Sequence, residues 1–357
     1  MTTSMTSMER VGAGLSHGVP DRVPLLLLFG HAAAREAGAE IREYMAREEL
    51  QVETQKAVRG RYALDCLSAF TYVGAEVEAM GSEIIFLPET PPQAGRPIFS
   101  SPEAIRAFEP PRPEDAPMLA RTLRVLGALR RDSGDEAPII GVVTSPFSLP
   151  VMQLGFEGYL ELLTADLQGS SAAGELLNLL WKKNGHFAEA WGAAQLRAGA
   201  HALCYFDPLS SPSMVPRELW IRGGRPAAER FLAAFPGGLV VCHLASGRGK
   251  ALLEDLASLG FAAAGVSAEE DLEELKTVAA GRIALVGNLN GMAMRHWSVE
   301  ETEAQVRLAL GKGAPGGGFL LSDNHGEVPW QVPPEVLRAL GDALERYGTS
   351  PWGDETP

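Results

Sequence analysis

Eight short apolar runs recur along the 357 residues with helix-like stretches between them, and this rhythm constrains the fold more than any other feature of the chain. The runs fall at 23–29, 64–70, 139–143, 202–206, 239–243, 262–266, 283–287 and 319–322. Short continuous apolar strands separated by helices read as βαβ units of a parallel sheet buried on both faces. Helical patterns fill the intervals at 41–57, 113–131, 160–198 with breaks at Gly169 and Gly185, 226–234, 250–259, 272–279, 299–310 and 334–347. Acids open several of them, as in Ser298-Val299-Glu300-Glu301, where carboxylates complement the helix N-terminal dipole. Eight strands alternating with helices predict an α/β protein folded as a single (β/α)8 TIM barrel. The proline-rich stretch 83–100 breaks the rhythm and is expected to form a hairpin insertion after the second strand, at a pocket mouth. The barrel should occupy 19–349, with a flexible leader at 1–18 and a tail at 350–357.

Bulk properties narrow the partners. A net charge of -14, spread along the chain, argues against nucleic acid or an anionic membrane surface as a partner and leaves small molecules or a complementary protein. Cys66, Cys204 and Cys242 all lie in apolar stretches with no CxxC pair, which fits a reducing cytoplasm better than a disulfide framework. The start of the chain lacks a charged segment followed by an apolar core, so no signal peptide is expected. The run 23–29 is far too short to span a bilayer, so the protein is expected to be soluble. The composition permits a homodimer without requiring one.

In a barrel of this kind, chemistry sits at the C-terminal ends of the strands. Reading the polar residues there gives His31, Thr71, Tyr72, Thr144, Ser145, Asp207, His243, Ser267, Asn288, Asn290, Asp323, Asn324 and His325. Asp207-Pro208 also suits a simple turn, and a strand-end histidine such as His243 is often only bonded to a neighbouring carbonyl. His325 lies beside Gly326, whose lack of a side chain permits close backbone approach. Cys242 alternates with His243, so the two face opposite sides of the sheet, and Cys242 is read as a core residue. Gly316-Gly317-Gly318 precedes a strand and lacks the helix and lysine of a phosphate loop. Neither a GxSxG elbow nor an HExxH helix is present.

Taken together, the motifs Pro20-Asp21-Arg22-Val23-Pro24, the stretch FTYVGAEVEAMG at 70–81, Ser145-Pro146-Phe147-Ser148-Leu149, Phe206-Asp207-Pro208, Gly287-Asn288-Leu289, Asn324-His325-Gly326 and Pro333-Pro334-Glu335 resemble the uroporphyrinogen decarboxylase superfamily. That superfamily includes decarboxylases and corrinoid-linked methyltransferases, and the resemblance implies a (β/α)8 barrel. The decarboxylases carry two arginines in an RQAGR loop, whereas residues 31–35 here read His31-Ala32-Ala33-Ala34-Arg35 with one. Tyr72 stands where their FSD aspartate is expected, and Met152 where they have a tyrosine. The methyltransferases carry a zinc motif of His-x-Cys plus a later cysteine. Here His243-Leu244-Ala245 keeps the histidine and loses the first cysteine, His325 stands near the second, and Asn324-His325-Gly326 looks like the decarboxylase GHG loop.

The resemblance implies a methyltransferase moving a methyl group between a small substrate and a corrinoid protein. Catalytic roles fall to Asp207, His325 and Tyr72, and substrate contacts to His31, Arg35, Asn288 and Met152. A zinc set of His243, His325 and a carboxylate such as Asp207 or Asp323 would be harder than a thiolate site and suited to polarising an ether, amine or hydroxyl group; a metal-free pocket stays open beside it. The alternatives are a decarboxylase of a porphyrinogen or other small acid, with His325 and Arg35 gripping carboxylates, and a binding barrel that has lost its chemistry.

Overall fold

The computed structural model describes residues 4–349. Its centre is a curled seven-stranded parallel sheet whose strands follow chain order: β1 (Leu67–Ser68), β2 (Ile139–Thr144), β3 (Ala202–Phe206), β4 (Leu239–His243), β5 (Ala263–Gly265), β6 (Ala284–Leu289) and β7 (Phe319–Asp323). The expected run at 23–29 forms one bridge, Leu25 to Leu321, because Pro24 has no N–H to give a ladder. It nevertheless bonds on both sides: Leu26 N–H donates to Leu321 O and Leu321 N–H to Pro24 O, both at 2.9 Å, while Asp65 N–H reaches Leu25 O at 2.8 Å.

The second expected strand is cut to two residues by its own serine. Ser68 Oγ accepts from Phe70 N–H at 2.9 Å and donates to Ile140 O at 3.2 Å, diverting the backbone from the ladder. Beyond Ser68 the β1 and β2 chains splay, and side chains satisfy the freed edge of β2. Gln195 pairs with both Val142 N–H (3.0 Å) and Val142 O (2.8 Å), and Glu76 Oε1 accepts from Thr144 N–H at 2.8 Å.

The helices largely follow the predicted pattern, with two instructive differences. The 41–57 stretch breaks at Arg47, giving Ile41–Ala46 and Glu48–Arg61. Helix Ser171–Ala198 runs unbroken through Gly185, and through Gly174 and Gly192, since each interior glycine costs only about 1 kcal/mol and tertiary packing outweighs that. In the 83–100 stretch, Ile84–Ile85 and Gln93–Ala94 pair as a short antiparallel ladder. No described helix is long and apolar enough to cross a membrane.

The 1–18 stretch, expected to be a flexible leader, is instead a structural plug over its described part. Residues Ser7–Leu15 form α1, opened by a reciprocal Thr6–Glu9 cap. Arg10 Nη1 and Ser7 Oγ reach the buried Asp65 carboxylate at 2.7 and 2.8 Å, and Arg22 Nη1 and Leu25 N–H reach its other oxygen at 2.7 and 2.9 Å. Arg10 also pairs with Asp21 at 2.6 Å. These bonds pin α1 across the N-terminal end of the sheet, where Val11 packs with Ala263, Ala284, Val286 and Leu320. The expected tail, 350–357, lies outside the described residues.

Candidate active site

Register decides which side chains share the concave face of the sheet, because directly paired residues of parallel strands point the same way. Thr144, Phe206, His243, Gly265, Val286 and Leu320 pair in series and form one layer. The layer beneath is Val142, Cys204, Val241, Ala263 and Ala284. Cys242 sits on the other face in the core, as expected from its alternation with His243.

His243 is the best-defined polar group of this face. Its Nδ1 accepts from Ala245 N–H at 3.0 Å, so the neutral ring carries its proton on Nε2. Ala245 reaches back by adopting a left-handed conformation with φ 51°, which costs a non-glycine residue on the order of 1 kcal/mol and persists where the surroundings enforce it. Burial, and then the charge of His325, push the His243 pKa down to about 4, so the ring is neutral at pH 7. It stacks on Phe206 with centroids 6.1 Å apart.

Gly265 supplies the room: a Cβ there would lie 2.6 Å from His243 Cδ2. Gly265→Ala should therefore displace the ring and destabilise the fold by about 1–3 kcal/mol. Urea denaturation and the His243 imidazole NMR signals check this; a ring left in place with unchanged stability would contradict it.

Asp323 shares a cavity with His243. Its Oδ1 accepts from His325 N–H and Gly326 N–H at 3.2 Å, and its buried Oδ2 has no partner. Burial holds its pKa above the ordinary carboxylate value despite those two N–H groups. His325 is half-buried, with Nδ1 3.3 Å from Ser246 Oγ.

The cavity occupies about 110 Å³ and runs from Met8, Val11 and Leu15 of α1 up to His243, Ser322, Asp323 and Gly326. Barrels of this type are ordinarily filled by layers of bulky branched residues. At roughly 24 cal/mol per Å³, a 110 Å³ void costs about 2–3 kcal/mol.

Other expected residues serve different ends. Asp207 is enclosed by hydroxyls: Ser145 and Ser148 donate to Oδ1 at 2.5 and 2.6 Å, and Ser210 donates to Oδ2. Burial raises its pKa even so. Both oxygens are engaged, so the expected zinc set of His243, His325 and Asp207 is not assembled. Among the described residues no group of three or more His, Cys, Asp or Glu could hold a metal ion. The donors present therefore do not fit a zinc site.

Arg35 does not present a free cation for carboxylates. It donates to Trp330 O, to Val332 O at 2.7 Å and to Glu36 at 2.8 Å. Tyr72 is buried, donates to Glu78 and packs edge-on against Phe86, so its hydroxyl is already committed; burial first, then Glu78, raises its pKa well above the ordinary value. His31 Nδ1 lies 2.8 Å from Glu327 Oε2. Asn288 Nδ2 donates to Ser267 O and Glu270 O, both at 3.1 Å, which orients its loop. Met152 is half-buried on the short helix Pro150–Leu154, and it lines neither cavity of this region.

Two carboxyls escaped the sequence reading. Glu327, beside His31, lies just past the Asn324-His325-Gly326 motif. Glu76 lies within the 70–81 motif, and its Oε2 is buried without a partner. It lines a cavity of about 30 Å³ with Phe70, Thr71, Thr144, Gln195 and Phe206, and burial pushes its pKa up to about 8.

A family model described as uroporphyrinogen decarboxylase (URO-D) matches residues 6–347. A uroporphyrinogen decarboxylase from Magnetococcus marinus is 26% identical over 92% of this chain and 93% of its own length. Another from Thioalkalivibrio sulfidiphilus is 28% identical over 88% and 92%. Among solved structures, a methyltransferase from Methanosarcina mazei superposes with a TM-score of 0.83 at 20% identity, covering 96% of this chain and 99% of that one. A B12-independent methionine synthase from Shewanella sp. W3-18-1 gives 0.51 at 13% identity over 84% and 90%. At these identities the structural likeness establishes the fold alone.

Proposed function

The chain belongs to the uroporphyrinogen decarboxylase family, and from that premise we propose that it is a methyltransferase acting on a small uncharged substrate, with a corrinoid protein as its partner. We read the curled sheet as a (β/α)8 barrel whose eighth side is the 23–29 segment, which bonds to β7 on one side and to Asp65 on the other, and the 84–94 ladder as an insertion at its mouth. Three free, buried cysteines suit a reducing compartment.

One observation carries the functional reading. Neither the cavity under His243 nor the one beside Glu76 is lined by a lysine or arginine, while buried carboxyls line both. A polycarboxylate substrate would meet buried acids and no cationic counter-ion. A neutral heteroatom would meet a donor at His243 Nε2 and a proton-exchanging carboxyl at Asp323 Oδ2.

The corrinoid, carried by its own protein, would supply the cobalt between which and the substrate the methyl group moves. This chain's residues do the rest. His243 donates a hydrogen bond to the substrate heteroatom that bears or receives the methyl group. Asp323 gives that heteroatom a proton, or takes one from it, according to the direction of transfer, and Phe206 walls the site against water. No zinc step is invoked, since the donors do not fit one.

Purified protein with cob(I)alamin and an uncharged methyl donor, methanol or a short-chain methyl ether, should convert the cobalt spectrum to that of methylcobalamin. His243→Ala should slow this at least 100-fold, the scale of losing one preorganised donor. Carbon dioxide release from uroporphyrinogen III with no cobalt spectral change would overturn the reading in favour of the decarboxylase named in the relatives.

A further inference from the structure

The barrel interior below His243 is built to leave space. In the second layer Cys204, Ala263 and Ala284 face inward where bulky side chains would fill the lumen, and Ala202 lies one layer lower. The resulting cavity of about 110 Å³ is lined almost wholly by apolar groups, among them Leu26, Ile140, Val241 and Leu320. Helix α1 lines its lower end through Met8, Val11 and Leu15, held there by the Arg10, Asp21 and Asp65 ion pairs. Its upper end carries the unpartnered, fully buried Asp323 Oδ2 and the His243 ring. One end is apolar, and the other is polar and reactive.

We infer that the lumen is a substrate subsite that takes the apolar tail of an uncharged ligand, a short alkyl chain or a small ring, while the ligand's single heteroatom stays at His243 and Asp323. This inference deepens the methyl-transfer reading and rests on it for the role of the heteroatom; the existence of the subsite does not depend on the reaction. Size sets the class. Apolar cavities of about 150 Å³ stay dry and bind benzene or xenon, so a lumen slightly smaller admits a group of benzene size at most. Charged or larger groups are excluded, because the walls carry no lysine or arginine and the volume is about 110 Å³.

The test uses benzene on the full chain. Benzene should raise the thermal midpoint of the parent protein and shift the NMR signals of methyl groups lining the lumen, such as those of Val241 and Leu320. Cys204→Leu, which fills the middle of the cavity, should fold with an unchanged or higher midpoint and lose the benzene response. Ala202→Val, a smaller addition at another lining residue, should weaken it at least several-fold and serves if the leucine variant does not fold. No response in the parent, or the same response in a folded filled variant, would overturn the inference. Benzene binding without any methyl transfer to cob(I)alamin would uphold the subsite and sink the reaction, so the two failures are distinguishable.

Discussion

Glu76→Gln is expected to remove the fall in stability between pH 4.5 and 8 that the Glu76 carboxyl contributes. Burial raises the folded pKa of Glu76 from 4.5 to about 8, whereas the unfolded chain titrates near the ordinary value. Within that window the folded protein holds a proton that the unfolded chain has already released. Stability therefore falls as pH rises, by about 1.4 kcal/mol per pH unit, or on the order of 3–5 kcal/mol across the window. It is fully present below pH 4.5 and lost as the pH approaches 8. The glutamine keeps the acceptor for Thr144 N–H and has nothing to titrate, so its urea midpoint should decline less with pH than the parent's across this window, and it should be the more stable protein at pH 8. Parallel profiles for parent and variant would refute the assignment.

Asp65→Ala should destabilise the fold by about 3–5 kcal/mol, the cost of leaving buried cations without their partner. The carboxylate receives Ser7, Arg10, Arg22 and the Leu25 amide, and its side chain is only 1% exposed. Its loss frees the lower end of the sheet: α1 loses one of its two acidic anchors, and the 23–29 segment loses a bond to the second strand region. Hydrogen exchange should show α1 amides opening well before those of β3 and β4, and guanidinium denaturation should show the fall in stability. An unchanged midpoint, or α1 amides as protected as in the parent, would show that packing alone holds the plug.

How far the residues could be read in advance differs from group to group, and the differences have physical causes. His243 and Asp323 were legible because apolar periodicity marks a strand and a barrel puts chemistry where strands end. The neutral state and tautomer of His243 were not, since they follow from burial and from an Ala245 backbone conformation that residue type does not announce. Asp207 passed for a ligand because a carboxylate at a strand end suits metal chemistry equally well; only packing brings three serine hydroxyls onto it. Arg35 was equally ambiguous until Trp330 and Val332, nearly three hundred positions away, were seen to claim it. Glu76 was overlooked because one of two acids in a short helix reads as surface, and its burial depends on two strands splaying at Ser68.

The sequence by itself determined the α/β class, the order of the strands, the positions of most helices and the family. These follow from hydrophobic periodicity and motif order, which are properties of neighbours along the chain. Tertiary structure alone decided that residues 7–15 are a plug and no leader, that the zinc donors do not meet, and that the lumen is left partly open. Each of these depends on register and on groups far apart in the chain, which set the burial, the charge state and the free space of a side chain that local sequence can only name.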